Sequence, residues 1–426
     1  MPINDAVHDG AGLHKLKTAA SRPALPLPTR LLKLLKHPSL SASAAFFLSG
    51  AAFAVGNLLL ARTLSVADFG QFALSLALFN IFILIAPLGL DQFILRHRLN
   101  PDIRLIAMVA GFALAIGVAV SAFVSSIGGL NTAEAAALAL SIVSGAVVIA
   151  ANAALRSSAR TAWGLLFTTG ASWLLLAIGG ASLIWRPETA VGPLIVFALG
   201  NFVMAVLSVV MALRQRAAGA PEISIEWRET FSLLGIAAVG TIALQVERLL
   251  VPGTLGLADL ATFAVLASTA IFPFRLLVAG IGFSLVPRLR RAGDFRERRR
   301  IVRMEMAASG GLALIATFGI VIVTPVVVPW LTTGTYHIGY GLTAVACLNG
   351  LSKLANSMAT GIVTGCGGTE TVHHLNRLSF AWLAIACAGG WAGSYFGLIG
   401  LLAGVSLGGL AVSLPTVVLA YRSMAK

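Results

Sequence analysis

Apolar stretches of about twenty residues recur from near residue 40 to near residue 420, each long enough to cross a ~30 Å hydrocarbon core as a helix. In lipid every backbone N–H and C=O must be bonded within the protein, so a chain built of such stretches folds as a set of membrane-spanning helices. Twelve windows can be read, at roughly 40–61, 70–90, 105–125, 133–154, 162–185, 190–213, 230–251, 259–286, 307–331, 340–365, 379–397 and 399–420. The last two part only at a tight turn near Phe396-Gly397. The expected fold class is an all-α polytopic membrane protein. Charge supports it: 11% of the 426 residues are charged, against about 25% in a soluble domain. So few charges could not cover a surface in water.

The basic residues test the count independently. Of 30 Lys and Arg, 25 fall in the leader, in alternate loops or at the C-terminus, including the run from Arg288 to Arg303. Only Arg62, Arg186 and Arg248 fall on the other side, and Arg275 and Lys353 lie inside windows. A miscounted span would scramble this alternation, so the bias predicts twelve spans with both termini in the cytoplasm. The net charge of +14 is then topogenic and directed at membrane lipids of the anionic leaflet. It excludes a nucleic-acid partner.

Residues 1–39 read as a cytoplasmic basic leader without an apolar core, hence no cleavable signal. Its run Leu31-Leu32-Lys33-Leu34-Leu35-Lys36 suits the inner leaflet surface. Residues 40–213 would form an N-terminal six-helix bundle, 214–229 a cytoplasmic linker and 230–426 a C-terminal six-helix bundle. A repeat relates the two. Thr63 to Leu74 aligns without gaps on Thr254 to Val265, with six of twelve positions identical at an offset of 191 residues. Both halves begin inside, so the repeat is parallel. The expectation is two parallel-repeat six-helix bundles around a central cavity, the arrangement that alternating access uses.

No HExxH, P-loop or spaced Cys/His set occurs. The reading is therefore not an enzyme, with no cofactor, no metal and no ATP use by this chain. Cys347, Cys366 and Cys387 read as small buried residues. The informative side chains are ionisable ones inside the membrane. Arg275 falls near the middle of the eighth window and Lys353 near the middle of the tenth, neither with a carboxylate in its own span. A mid-bilayer charge costs at least about 2.5–3.5 kcal/mol, so each is expected to face water, a counter-ion or an anionic ligand. Glu247 and Arg248 are placed near the outer end of the seventh span. Amides recur in the spans, among them Gln245, Asn349 and Asn57. Such groups both donate to and accept from sugar hydroxyls, though interhelical bonding explains any single one equally well.

The stretch from Asn57 through Ala61-Arg62-Thr63-Leu64 to Ala67-Asp68-Phe69-Gly70, with Phe72-Ala73-Leu74, resembles the opening signature of the polysaccharide transporter family. That signature reads Ala-Arg-x-Leu-Gly-Pro-x-Asp-Phe-Gly-x-Tyr-Ala, then an apolar span closing on Gly-Leu-Asp. Here the close is Gly89-Leu90-Asp91, with Arg96 after it. Glu247-Arg248-Leu249-Leu250 and Val286-Pro287-Arg288 resemble the family's exits from spans seven and eight. The chain departs at Ser65-Val66, where the family has Gly-Pro, and at Phe72, where it has Tyr. The family belongs to the multidrug/oligosaccharidyl-lipid/polysaccharide exporter superfamily. The resemblance implies a flippase for an undecaprenyl-pyrophosphate-linked oligosaccharide in the bacterial inner membrane, serving surface polysaccharide biosynthesis. Its partners would be the lipid-linked oligosaccharide and membrane lipids, with other polysaccharide-assembly proteins as candidates. The substrate-facing residues would be Arg275 and Lys353, with Arg248, Glu247, Gln245, Asn349 and Asn57 as further candidates.

A drug or small-organic-cation antiporter of the same superfamily is the alternative. It should carry a carboxylate in mid-span, and none is read there. A membrane glycan polymerase or ligase would need a large periplasmic loop, whereas each outer loop is about ten residues or fewer.

Overall fold

The computed structural model describes residues 38–97, 99, 101–127, 129–157, 161–214 and 225–425. The amphipathic run at 31–36 and most of the 214–229 linker lie outside them. Residues Ala44–Lys426 form one compact unit. The helices are α1 (Pro38–Thr63), α2 (Val66–Ile85), α3 (Leu90–His97), α4 (Ile103–Ser126), α5 (Thr132–Ser157), α6 (Thr161–Trp185) and α7 (Val191–Leu213). The second half holds α8 (Trp227–Thr254), α9 (Leu257–Leu266), α10 (Phe272–Arg291), α11 (Phe295–Leu331), α12 (Tyr340–Cys366), α13 (Thr369–Ser394) and α14 (Gly397–Ala425). A π-helical turn, Ala267–Ile271, joins α9 to α10, so these run as one rod. With α3 too short to cross, twelve membrane-length rods remain among the described residues, and no strand.

Ten of the twelve are apolar enough to count as spans by length and composition alone. The two that are not are α12 and α13, which carry Asn349, Lys353, Asn356, Asn376 and Arg377. The protein keeps polar groups in these two helices at the expense of their fit to lipid.

Local chemistry explains the breaks. The second window was expected to run to residue 90, but α2 stops at Ile85. Pro87 has no N–H to continue the ladder, and Leu88 (φ 52°) and Gly89 (φ 83°) turn the chain left-handed. The π turn precedes Phe272-Pro273, where proline again interrupts the i→i−4 pattern. At Phe396-Gly397, Gly397 (φ 71°) makes the tight reversal into α14. Helix α11 is 37 residues long, about 55 Å. It exceeds a ~30 Å core, so its basic first turns project beyond the membrane.

Apolar area drives little helix association in lipid, where close packing of small residues takes over. Helices α5 with α4 and α7 in the first half, and α14 with α13 and α12 and α12 with α10 in the second, make the main contacts within each half, while α2 packs across on α8 and α9. Gly70 permits that crossing: a Cβ there would stand 2.3 Å from the Leu257 carbonyl oxygen. Gly70 and Leu257 belong to the two copies of the sequence repeat, so the copies sit side by side at one end of the molecule. In each, a threonine ends a helix (Thr63, Thr254) and an aspartate is the third residue of the next (Asp68, Asp259). Ser65 caps α2, accepting from the Asp68 N–H at 3.1 Å. Its counterpart Gly256 offers no side chain. At the opposite end a Cβ on Gly89 would meet the Thr230 carbonyl oxygen at 2.3 Å. There Glu229 pairs with Arg96 at 3.0 Å and His97 at 3.1 Å.

Candidate functional site

Helix α8 is the hub. Leu244, Glu247 and Arg248 share a face at i, i+3 and i+4. Glu247 lies seven residues, about 10 Å, before the end of α8. Beyond it α8 runs on through Leu249-Leu250-Val251 to Thr254. Glu247 is fully buried. Its Oε2 accepts from Lys353 Nζ of α12 at 2.7 Å, and its Oε1 from Asn349 Nδ2, one turn away on α12, at 2.8 Å. Lys353 is 6% exposed, so this is a buried ion pair closed between two helices. The absence of an acid from its own span holds, but the acid comes from the neighbouring one.

The Leu244 carbonyl oxygen collects two cations. Arg275 donates to it through Nη2 at 2.8 Å and Lys353 through Nζ at 3.3 Å. Arg275 stands one residue after the Phe272-Pro273-Phe274 break, at the start of α10, half-buried, and its Nε has no partner. Arg248 turns the other way, toward the first half. It is buried, its Nε is also unpartnered, and its guanidinium carbon lies 6.0 Å from the Phe53 ring centroid of α1, within cation–π range. Three cations therefore stand on or beside this turn of α8, where one carboxylate has both oxygens taken, by Lys353 and Asn349.

The remaining amides divide. Asn57, Asn80 and Asn201 donate to carbonyls four residues back in their own helices, and Asn57 stands outside the cluster. Asn152 bonds Thr168 between α5 and α6. Gln245 is buried with its Oε1 unpartnered.

A cavity of about 320 Å³ opens beside the pair, lined by residues of α8, α10, α12 and α13, all in the second half. Lys353 stands on its wall, while Arg275 is not among its lining residues. The wall from α12 is a stripe at helical spacing, Lys353, Asn356, Ser357, Thr360 and Thr364. That from α13 is Val372, Leu375, Asn376, Ser379 and Trp382. The cavity thus runs from mid-helix toward the end where α12 joins α13. Asn376, Ser379 and Trp382 were not singled out from sequence. Their 3–4 spacing on a helix of low apolarity was the available signal. Trp382 is 3% exposed and its Nε1 has no partner.

No protein-family model matches the sequence, and no curated protein matches it. Solved structures do. The lipid II flippase MurJ in an inward closed conformation superposes with a TM-score of 0.68 over 91% of this chain and 90% of that one, at 11% identity. An inward-facing multidrug resistance MATE family transporter of the MOP superfamily gives 0.65 over 90% and 94%, at 12% identity. The MATE multidrug transporter DinF-BH gives 0.56 over 94% and 98%, at 15% identity. The chain has the MATE and MurJ transporter fold. In this MATE- and MurJ-like frame, the two rods with the poorest fit to lipid are among the four that wall the cavity, and Lys353 of the charged cluster lines it.

Proposed function

We propose that the chain is a multi-pass transporter that moves a lipid-linked oligosaccharide across the bacterial inner membrane by alternating access of halves 40–213 and 230–426. In this reading both termini and the basic end face the cytoplasm, as the distribution of Lys and Arg requires. The carrier is the undecaprenyl-pyrophosphate that the sequence resemblance implies, and the chain performs no covalent chemistry. The observation that carries the reading is the excess of cations on and beside one turn of α8: Lys353 paired with Glu247, Arg275 on the Leu244 carbonyl, and Arg248 beside Phe53. An excess of positive charge inside a membrane protein is costly and is offset by an anionic substrate. Guanidinium groups with unpartnered N–H donors suit phosphate oxygens. Deletion of the gene tests the reading. It should leave a lipid-linked saccharide on the cytoplasmic side and remove the corresponding glycan from the surface. Unchanged surface glycan together with no internal accumulation would reject it.

A second reading, export of an organic cation, gains from one observation. Glu247 places a carboxylate inside a span, where none was read from sequence. The two readings separate at Glu247→Gln. Loss of organic-cation efflux with intact saccharide export favours the antiporter, and the reverse favours the flippase.

A further inference from the structure

We infer that the cavity in the second half is a binding site for one pyranose ring carrying a single anionic group, with the anion at Lys353 and the ring hydroxyls at Asn356, Asn376 and Trp382. The inference deepens the saccharide-transport reading and rests on it. The first argument is unused bonding capacity. The side chains of Asn356 and Asn376 line the cavity without a hydrogen-bond partner among the described residues. The Trp382 Nε1 is buried and equally unpartnered. Unmet polar groups inside a membrane protein are expensive, and two amides with an indole N–H supply both donors and acceptors, as a polyol requires.

Charge gives the second argument. Lys353 spends two of its three N–H donors on Glu247 and the Leu244 carbonyl, and no carboxylate lines the cavity. Both oxygens of Glu247 are already bonded, so an incoming anion meets the ammonium and no exposed acid. An organic cation would find no carboxylate free to pair with. Shape gives the third. Leu244, Val278 and Leu375 set apolar wall beside the amides, matching a ring with an apolar C–H face and a polar rim. A volume of about 320 Å³ is at the small end of ligand pockets, roughly 300–1,000 Å³. That favours a single ring over an oligosaccharide. The anion is either a carboxylate on the ring or the phosphate through which a ring joins its lipid.

The test is cysteine protection in the full-length protein in membranes, with Cys347, Cys366 and Cys387 replaced by alanine and Ser357→Cys as reporter. Thr360→Cys is a second reporter should the first fail to accumulate. Glucuronate, glucose 1-phosphate, glucose and inorganic phosphate are compared as protectants against a maleimide. Protection by glucuronate or glucose 1-phosphate, but not by glucose or phosphate at the same concentration, supports the site and identifies which anion it takes. Adding Asn356→Ala with Asn376→Ala should raise the half-protecting concentration at least about tenfold. These amides bond nothing among the described residues, so the fold is kept. Equal protection by glucose overturns the role of Lys353, equal protection by phosphate overturns the ring, and no protection by any of them overturns the site. Saccharide export in cells is scored separately. No protection with intact export rejects this cavity alone, whereas no export defect on gene deletion rejects the transport reading.

Discussion

Glu247 shows how a residue's meaning depends on a neighbour the sequence does not name. Read along the chain, Lys353 is a mid-membrane cation with no acid in its span. In space it is closed onto a carboxylate 106 positions away. Removing one partner leaves the other charged and buried, at a cost of about 3–5 kcal/mol, whereas replacing both with isosteres is near neutral. Glu247→Gln and Lys353→Met should therefore each lower thermal stability in detergent, and the double variant should recover most of the loss. Additive losses would contradict the pair. It follows that Lys353→Ala alone cannot report on substrate binding, while Arg275, which has no carboxylate partner within ion-pair distance among the described residues, can. Asp91, in the first turn of α3, makes a separate prediction. Burial holds its carboxyl above the ordinary carboxylate range, against the hydrogen bond from Gln92. The folded state thus keeps the proton longer than the unfolded chain. Stability is full below the ordinary carboxylate pKa and declines as pH rises toward the raised folded value. Asp91→Asn should abolish that decline and melt higher at neutral pH. A melting profile parallel to the parent's from acid to neutral pH would count against this.

At the scale of elements, most of the architecture was legible because lipid enforces it. The windows and the alternation of Arg and Lys located the twelve rods, most of them to within several residues, although α11 and α13 begin 12 and 10 residues before their windows because their first turns are polar. The misses have physical causes. Pro87 and two left-handed residues ended α2 early, and α8 continued past its window to Thr254 with Pro252 inside its last turn. The repeat was legible too, since Asp68 and Asp259 each occupy the third position of their helix, and Gly70 brings the two copies together. Gly70→Ala must push α2 off the Leu257 carbonyl, and overpacking of this kind costs about 1–3 kcal/mol. Gly319→Ala, on α11 with open space around the added methyl, should instead gain up to about 1 kcal/mol from helix propensity. Detergent melting of the two variants checks the contrast, and equal shifts would show that the crossing is loose. The cavity itself was not legible, because it depends on which faces of α12 and α13 meet α8. Only the polar stripes that wall it could have been read.

For the whole molecule, the orientation of the fold in the membrane comes from charge alone and is open to direct test. Cysteines at Ser126 and Thr333, both exposed at or just past helix ends, should react with an impermeant thiol reagent in intact cells, and a cysteine at Arg296 should not. Labelling at Arg296 would invert the topology and, with it, the direction of transport. The central claim is that the excess positive charge in the membrane interior moves an anionic lipid-linked saccharide. The most direct measurement is translocation of such a lipid into the opposite leaflet of vesicles containing the purified protein, compared with Arg275→Lys and Arg275→Gln at matched protein levels. The account predicts movement by the parent, partial movement by the lysine variant, which keeps charge but loses bidentate geometry, and little by the glutamine variant. Equal movement by all three, or none by the parent, would contradict it.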